Sequence, residues 1–531
     1  MANEVALLSP GSHSASDVEA AAGDAQAFRA QLRGRGDLLE LRVAGDGTCD
    51  IRPVADGSPS SCPAFLAGLL RLGSGPPPQI SATDIIGATA SGCELVIWHA
   101  PLQGKAAAQQ EKPSRRLCRT PPLVLESPQL AEQAVKLLRS TCCCWGSAQR
   151  PPRLLIIVNP ASGPGKAPAI YEREVRPALE AAGCHLDMHV TKAAGHATEL
   201  MLQVAAGSVD AVVALGGDGT MHEALQGLLT RQDWEATRQL PLAQIPCGSG
   251  NALAASVGMW NVHTALHAII KGQQRPLDIA SVVQHERRCF SFLSVSYGLI
   301  TNLDIGTEHL RWMGGNRFVV GALQQIMLKR RHTARVALLD LDPAVIGEAG
   351  LLAAAAADAV GSSSSNPNST PRTSGAGSAA SAEGLRAAAS LQGPPVQHLA
   401  AFQALSQGRL PSGGWQWLPD ADVALFTATN LPRLDMNFHL APMAAPDSGC
   451  FDLIYTTPTS RMEGLKFMTD SEKGQHMSHP RVRHRRVAAM ALEPQSTGTW
   501  LVVDGEVVPF KQLFMEVHPS LCNAVVAPTV R

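Results

Sequence analysis

Leu154–Lys166 reads LLIIVNPASGPGK, Ala211–Glu223 reads AVVALGGDGTMHE, and Leu242–Ser256 reads LAQIPCGSGNALAAS. Each stretch starts as a short apolar run, passes through a glycine-bearing turn and continues into helix-forming sequence. Between them the pattern alternates, with helices expected over Ala167–Ala182, His196–Ala206 and Met221–Leu229 and a further strand at Leu186–Val190. Strands that are apolar throughout, separated by helices, imply a parallel sheet covered on both faces. Ligands of such sheets bind outside the carboxyl ends of the strands, where these turns fall.

The first turn, Asn159–Lys166, offers an anion backbone N–H groups and a helix N-terminus. It is not a Walker loop, which needs Gly where Pro160 stands and Ser or Thr where Ala167 stands. In the second turn, Gly216 and Gly217 precede Asp218 and Gly219 follows it, so that backbone and carboxylate can both face a nucleotide. Asp218 can accept a hydroxyl proton or help hold a cation, or it can be no more than the helix cap, and Thr220 is also placed to cap. The third turn, Pro246–Ala252, lacks the glycine a dinucleotide fingerprint needs at Leu253, which disfavours a dehydrogenase. Three such turns within about 95 residues point to one composite nucleotide site.

The 531 residues suffice for two to four domains. With 44 Lys and Arg against 45 Asp and Glu, the net charge of -1 removes the basic field of a dedicated nucleic-acid binder. No apolar run reaches the 18 or so residues a membrane span needs, and the start MANEVALLSPGSHS is neither basic nor apolar enough for a signal peptide. Ala2 excludes myristoylation and the end APTVR offers no prenylation Cys, so a cytoplasmic chain without a stable lipid anchor is expected. Twelve cysteines, including Cys142, Cys143 and Cys144, follow no disulfide or zinc rhythm, and none of the 17 histidines sits at metal-ligand spacing.

Residues 1–150 are expected to form a small β-rich module with strands at Leu38–Val43 and Cys93–Trp98 and a helix over Ser127–Arg139. The α/β domain then occupies 151–276. An antiparallel β domain follows over 277–342 and 414–531, read from runs such as SFLSVSYG, DVALFTATN and TWLVVDG. The stretch 343–413 between them is expected to be a disordered insertion, because 25 of the 35 residues in Gly361–Pro395 are Ser, Ala, Gly or Pro. A basic run, Arg481, Arg483, Arg485 and Arg486, reads as exposed charge or as a face for anionic lipid.

The strings VNPASGPGKA, LGGDGTMHEALQGL and IPCGSGNALAASVG resemble the catalytic domain shared by diacylglycerol, ceramide and sphingosine kinases. The likeness to sphingosine kinases continues through Asp278-Ile-Ala-Ser-Val, GTEHLRWMGGNRF, SEKGQHM and VVDGEVV, over roughly 153–342 and 414–520. Ceramide kinases carry a clustered cysteine motif, whereas Cys450 stands alone here. The resemblance implies an α/β nucleotide domain followed by a β-sandwich that holds lipid, and an N-terminal module similar to the PH-like start of some relatives. It implies ATP and magnesium as cofactors, a sphingoid base as substrate, transient contact with a membrane surface and no nucleic-acid partner. The Asp matching Asp218 activates the substrate hydroxyl, the Asp matching Asp278 receives the lipid head group, and no residue is expected as a metal ligand. Nucleotide contacts are implied for Asn159, Ser162, Gly163, Gly165, Lys166, Thr191, Gly216, Gly217, Gly219, Thr220, Gly248, Ser249, Gly250, Asn251, Arg311, Arg317, Asp504, Gly505 and Glu506. A ceramide or diacylglycerol kinase and a non-catalytic lipid-binding protein of the same fold are the alternatives.

Overall fold

The computed structural model describes residues 26–32, 38–43, 49–53, 79–104, 112–142, 145, 150–248, 250–306, 321, 332–341, 378–419, 422–457, 460–496 and 498–528. They divide into two compact units, one within 1–99 and 118–142, the other within 100–117 and 143–531.

The first unit is antiparallel. Its strands are β1 (Gln26–Leu32), β2 (Leu38–Val43), β3 (Cys49–Pro53), β4 (Gln79–Ile80), β5 (Ile85–Ser91), β6 (Glu94–His99), β7 (Cys118–Arg119) and β8 (Leu123–Leu125). They run in the order β4-β3-β2-β1-β8-β6-β5, with β7 on β6. Helix α1 (Pro128–Cys142) follows, and Ala131, Ala134 and Leu138, spaced three and four apart, are buried along one side of it. That spacing is why the helix packs on β5 and β6.

The second unit opens with the parallel strands β9 (Arg153–Val158), β10 (His185–Val190), β11 (Ala211–Gly216) and β12 (Leu242–Pro246), ordered β10-β9-β11-β12. Leu154–Val158 and Ala211–Gly216 are buried residue by residue, because each of these strands is flanked on both sides and covered above and below. At the sheet edge β10 exposes His185, Asp187 and Met188. Strand order reverses between β9 and β11, the kind of switch point at whose carboxyl ends ligands of such sheets bind. Helices α2 (His196–Gln203), α3 (Asp218–Thr230), α4 (Ala252–Ser256) and α5 (Val262–Lys271) cover the sheet. The expected helix at Met221 begins three residues earlier, at Asp218 itself.

The β half comprises β13 (Gln274–Gln284), β14 (Arg287–Ser291), β15 (Ser294–Gly298), β16 (His332–Asp340), β17 (Trp415–Trp417), β18 (Asp422–Val423), β19 (Leu425–Thr429), β20 (Phe451–Thr456), β21 (Val482–Pro494), β22 (Leu501–Val503), β23 (Glu506–Val508) and β24 (Leu513–Val525). Strand β24 lies parallel to β12 at Leu242 and Ala524 and antiparallel to β13 and β21. One hydrogen-bonded sheet therefore continues from the α/β half into the β half. Tyr297, Phe426, Phe451, Met490 and Met515 fill the core between its layers.

The described part of the expected disordered insertion is folded, which corrects that expectation. Helices α6 (Ser378–Ala389) and α7 (Leu399–Ser406) bury Leu385, Ala388, Phe402 and Leu405 against Phe514, Ala489 and Trp415. Glu516 on β24 accepts hydrogen bonds from the backbone N–H groups of Gln397 and His398 at the entry to α7. A few apolar residues at helical spacing suffice to dock this segment, although Ala and Ser dominate its composition. Arg481, Arg483 and Arg485 of the basic run are exposed, with Arg481 paired to Glu463 and Arg485 to Asp340, while the Arg486 Nε donates to the Cys450 Sγ. Among the described residues no helix is long and apolar enough to cross a membrane.

Close approach of α2 and α3 provides a test of this packing. A Cβ on Gly227 would lie 2.4 Å from the Thr198 carbonyl oxygen and 2.6 Å from the Met201 Cβ. Gly227→Ala should therefore destabilise the protein by about 1–3 kcal/mol, as overpacking does, rather than gain the roughly 1 kcal/mol that Ala gives an open helix. Thermal unfolding checks this, and a higher midpoint would disprove the contact.

Candidate active site

The three glycine turns close on one another. Asn159, just past β9, donates from its Nδ2 to the Thr220 Oγ1 (3.1 Å) and accepts the Ala161 N–H on its Oδ1 (3.0 Å). Thr220 thus serves the first turn instead of capping its helix. Gly163, at φ +62°, sits where a Cβ would lie 3.0 Å from the Cys247 carbonyl oxygen. A Cβ on Gly248 would fall 2.4 Å from the Gly217 Cα, so only glycine lets the second and third turns touch. Asn251 closes the third turn, accepting from the Gly248 N–H (3.0 Å) and donating to the Gly248 carbonyl (2.8 Å).

Asp218 is buried at the seam. It is the first residue of α3, but it caps another helix. Its Oδ2 accepts from the Ala252 N–H (2.9 Å), and its Oδ1 from the Leu253 N–H (3.4 Å) and the Gln244 Nε2 (3.2 Å). The Gln244 Oε1 accepts from the Ala254 N–H (2.8 Å). The first three amides of α4, which helix geometry leaves without partners, are thereby satisfied by side chains from β12 and α3. Burial pushes the Asp218 carboxyl up to about 6, against the pull of these donors, and the charge of Asp504 pushes the same way as burial.

The β half reaches α3 through the turn after β22. Asp504, at φ +51°, is fully enclosed and accepts from the Ser291 Oγ (2.6 Å), the N–H groups of Phe292, Leu293 and Ser294, and the His222 Nδ1 (3.0 Å). Asp504 was expected on the nucleotide side. Its carboxylate is instead fully engaged inside the protein, as a joint between the strands and His222 of α3. Glu506, two residues on, does reach the seam, since a Cβ on Gly219 would lie 3.1 Å from its Oε1. Gly505, at φ +88°, turns the chain between them.

Of the other expected residues, Ser162, Gly165 and Lys166 lie on the first turn with Lys166 exposed, and Thr191 follows β10, its N–H on the Val158 carbonyl. Gly216 ends β11, and Gly250 lies where a Cβ would meet the Asp218 Oδ2 at 3.1 Å. Ser249, Arg311 and Arg317 lie outside the described residues. Asp278 stands in a bulge of β13, enclosed, with its oxygens accepting from the Ser520 and Gly449 N–H groups. Burial pushes its carboxyl up to about 7. Sequence reasoning passed over Gln244 and His222, whose signal was a polar residue inside an otherwise apolar strand or buried helix face. Among the described residues no three acids, histidines or cysteines gather to hold a metal.

Residues 153–282 match the diacylglycerol kinase catalytic domain, and 381–526 match the YegS C-terminal NAD kinase beta sandwich-like domain. Sphingosine kinase 1 of Mus musculus is 30% identical over 407 residues, covering 73% of this chain and 96% of that protein. Sphingosine kinase 1 of Homo sapiens is 30% identical, covering 71% and 91%, and sphingoid long chain base kinase 4 of Schizosaccharomyces pombe is 27% identical, covering 70% and 74%. A diacylglycerol kinase structure from Bacillus anthracis aligns with a TM-score of 0.44 at 16% identity, covering 71% of this chain and 98% of that one. At such identity over nearly the whole of the mouse and human proteins, this chain belongs to the sphingosine kinase family, lipid kinases built on the diacylglycerol kinase catalytic domain.

Proposed function

We propose that this chain transfers the γ-phosphoryl group of ATP to the primary hydroxyl of a sphingoid long-chain base. The observation that carries this is the placement of Asp218, a carboxylate held by donors alone at the point where three strand-end turns meet. Phosphoryl transfer asks for positioning and charge stabilisation more than covalent help. The turns supply backbone N–H groups and helix N-termini for the triphosphate, with Lys166 exposed on the first of them. The substrate oxygen attacks the γ-phosphorus as its proton passes to Asp218, and ADP leaves. Magnesium, arriving with the triphosphate, would neutralise the charge that develops on its oxygens.

Specificity for a free amine falls to Asp278. A carboxylate enclosed this deeply gains most when an ammonium arrives, and a neutral diacylglycerol or amide-capped ceramide brings none. The strand order of the N-terminal unit, with a closing helix, supports its being a PH-like module, and with it peripheral contact at the membrane where such a substrate resides.

Purified protein given labelled ATP should phosphorylate sphinganine or phytosphingosine in preference to ceramide and diacylglycerol; the reverse preference refutes the assignment. Asp218→Asn should lower turnover by about 10²–10⁴-fold with ATP binding retained, as measured by nucleotide titration. For the wild type, the base must be ionised, so kcat/KM should fall as pH drops through about 6, roughly tenfold per unit. Asp278→Asn should raise KM for the lipid far more than KM for ATP. Equal rises would make Asp278 only a tie between Gly449 and Ser520.

A further inference from the structure

We infer that Gln244 is a positioning residue for the reaction, holding the Asp218 carboxylate in its ionised, hydroxyl-facing state through a hydrogen bond that can run in one direction only. This rests on Asp218 being the base. Gln244 is 1% exposed and lies in the middle of β12, whose neighbours Leu242, Ala243 and Ile245 are apolar and buried. An amide enclosed among such residues costs stability unless both of its ends are satisfied. Both are, and by opposite chemistries.

The Oε1 accepts from the Ala254 N–H, a group that can only donate. The amide orientation is therefore fixed, and the Nε2 must point at the Asp218 Oδ1. From that side Asp218 meets a donor, and the amides of Ala252 and Leu253 at the start of α4 are donors too. Among the described residues the polar groups bonded to Asp218 are thus donors, which favour the anion. Other features oppose ionisation. Asp218 is buried, the Asp504 charge acts on it from the β half, and Glu506 lies over Gly219 on the same helix end. His222, one turn along α3, is bonded to Asp504 and so is not a donor to Asp218 through its Nδ1. Among the described residues Gln244 is the side chain that donates to Asp218, the other two donors being backbone.

Two substitutions separate this role from simple support of α4. Gln244→Glu keeps the shape and an oxygen for the Ala254 N–H but replaces the donor facing Asp218 with a second acid, so the pair must share a proton. Gln244→Met keeps the length and removes both bonds. The measurement is the pH profile of kcat/KM for sphinganine at saturating ATP, with thermal unfolding of each variant as a check on folding. The acid limb should move up by about one pH unit in Gln244→Met, the scale of one hydrogen bond to a charged group, and further in Gln244→Glu. The same titration is read without substrate as the carboxyl ¹³C shift of Asp218 in Asp-labelled protein, assigned by its loss in Asp218→Asn. If both limbs and both ¹³C titrations coincide with wild type while activity falls equally at every pH, Gln244 only braces α4 and the inference fails. If wild type phosphorylates no sphingoid base, the functional assignment fails on its own, and the ¹³C titration still decides whether Gln244 tunes Asp218.

Discussion

A helix of five residues cannot satisfy its own first amides, and this shortfall organises the site. Ala252, Leu253 and Ala254 begin α4 with N–H groups that no intrahelical carbonyl reaches, and Asn251, the residue in the cap position, spends its side chain on Gly248. Asp218 and Gln244 supply the missing acceptors. The bonds that complete α4 therefore also hold the Asp218 carboxylate in place and favour its anion against the effect of burial. Folding and chemistry draw on one set of contacts, so a substitution that disturbs α4 reaches the proposed base directly.

That arrangement depends on glycine for a steric reason. The second and third turns can present Asp218 to α4 because Gly248 passes Gly217 backbone to backbone, where a Cβ would lie 2.4 Å from the Gly217 Cα, and because Gly250 lies close against the Asp218 carboxylate. The parallel sheet sets this up, since β9, β11 and β12 end side by side and the order reverses between β9 and β11. Backbone N–H groups of the turns and a buried acid are thereby held together at the carboxyl ends of these strands.

The two halves of the second unit were legible because their periodicities differ. Leu154–Val158 and Ala211–Leu215 are apolar throughout, as flanked parallel strands must be, and the runs after residue 276 are short and turn-bounded. Asp218 was legible from its three glycines. The partners of Asp504 were not, because Ser291 and His222 stand 213 and 282 residues away, and only the folded sheet brings them together. Composition misled at 378–413, where Leu385, Phe402 and Leu405 dock the segment from within an Ala- and Ser-rich background. Burial energy depends on where a few large side chains point more than on their share of the sequence.

The joint at Asp504 has a mechanical consequence. His222 and Gln226 are four apart on α3 and so lie on one side of it. His222 holds Asp504, while Gln226 donates to the Phe290 carbonyl (2.8 Å) and accepts the Phe290 N–H (2.9 Å) on β14. The helix that starts with Asp218 is thus fastened to the β half by two side chains, and near its start to the first glycine turn through Thr220. Any displacement of the β half relative to the parallel sheet would have to carry α3 along or break these bonds in an interior where unpaired partners are costly. The proposed base therefore keeps its register with β14 and with the turn after β22, so that the start of α3 stays placed relative to the β half.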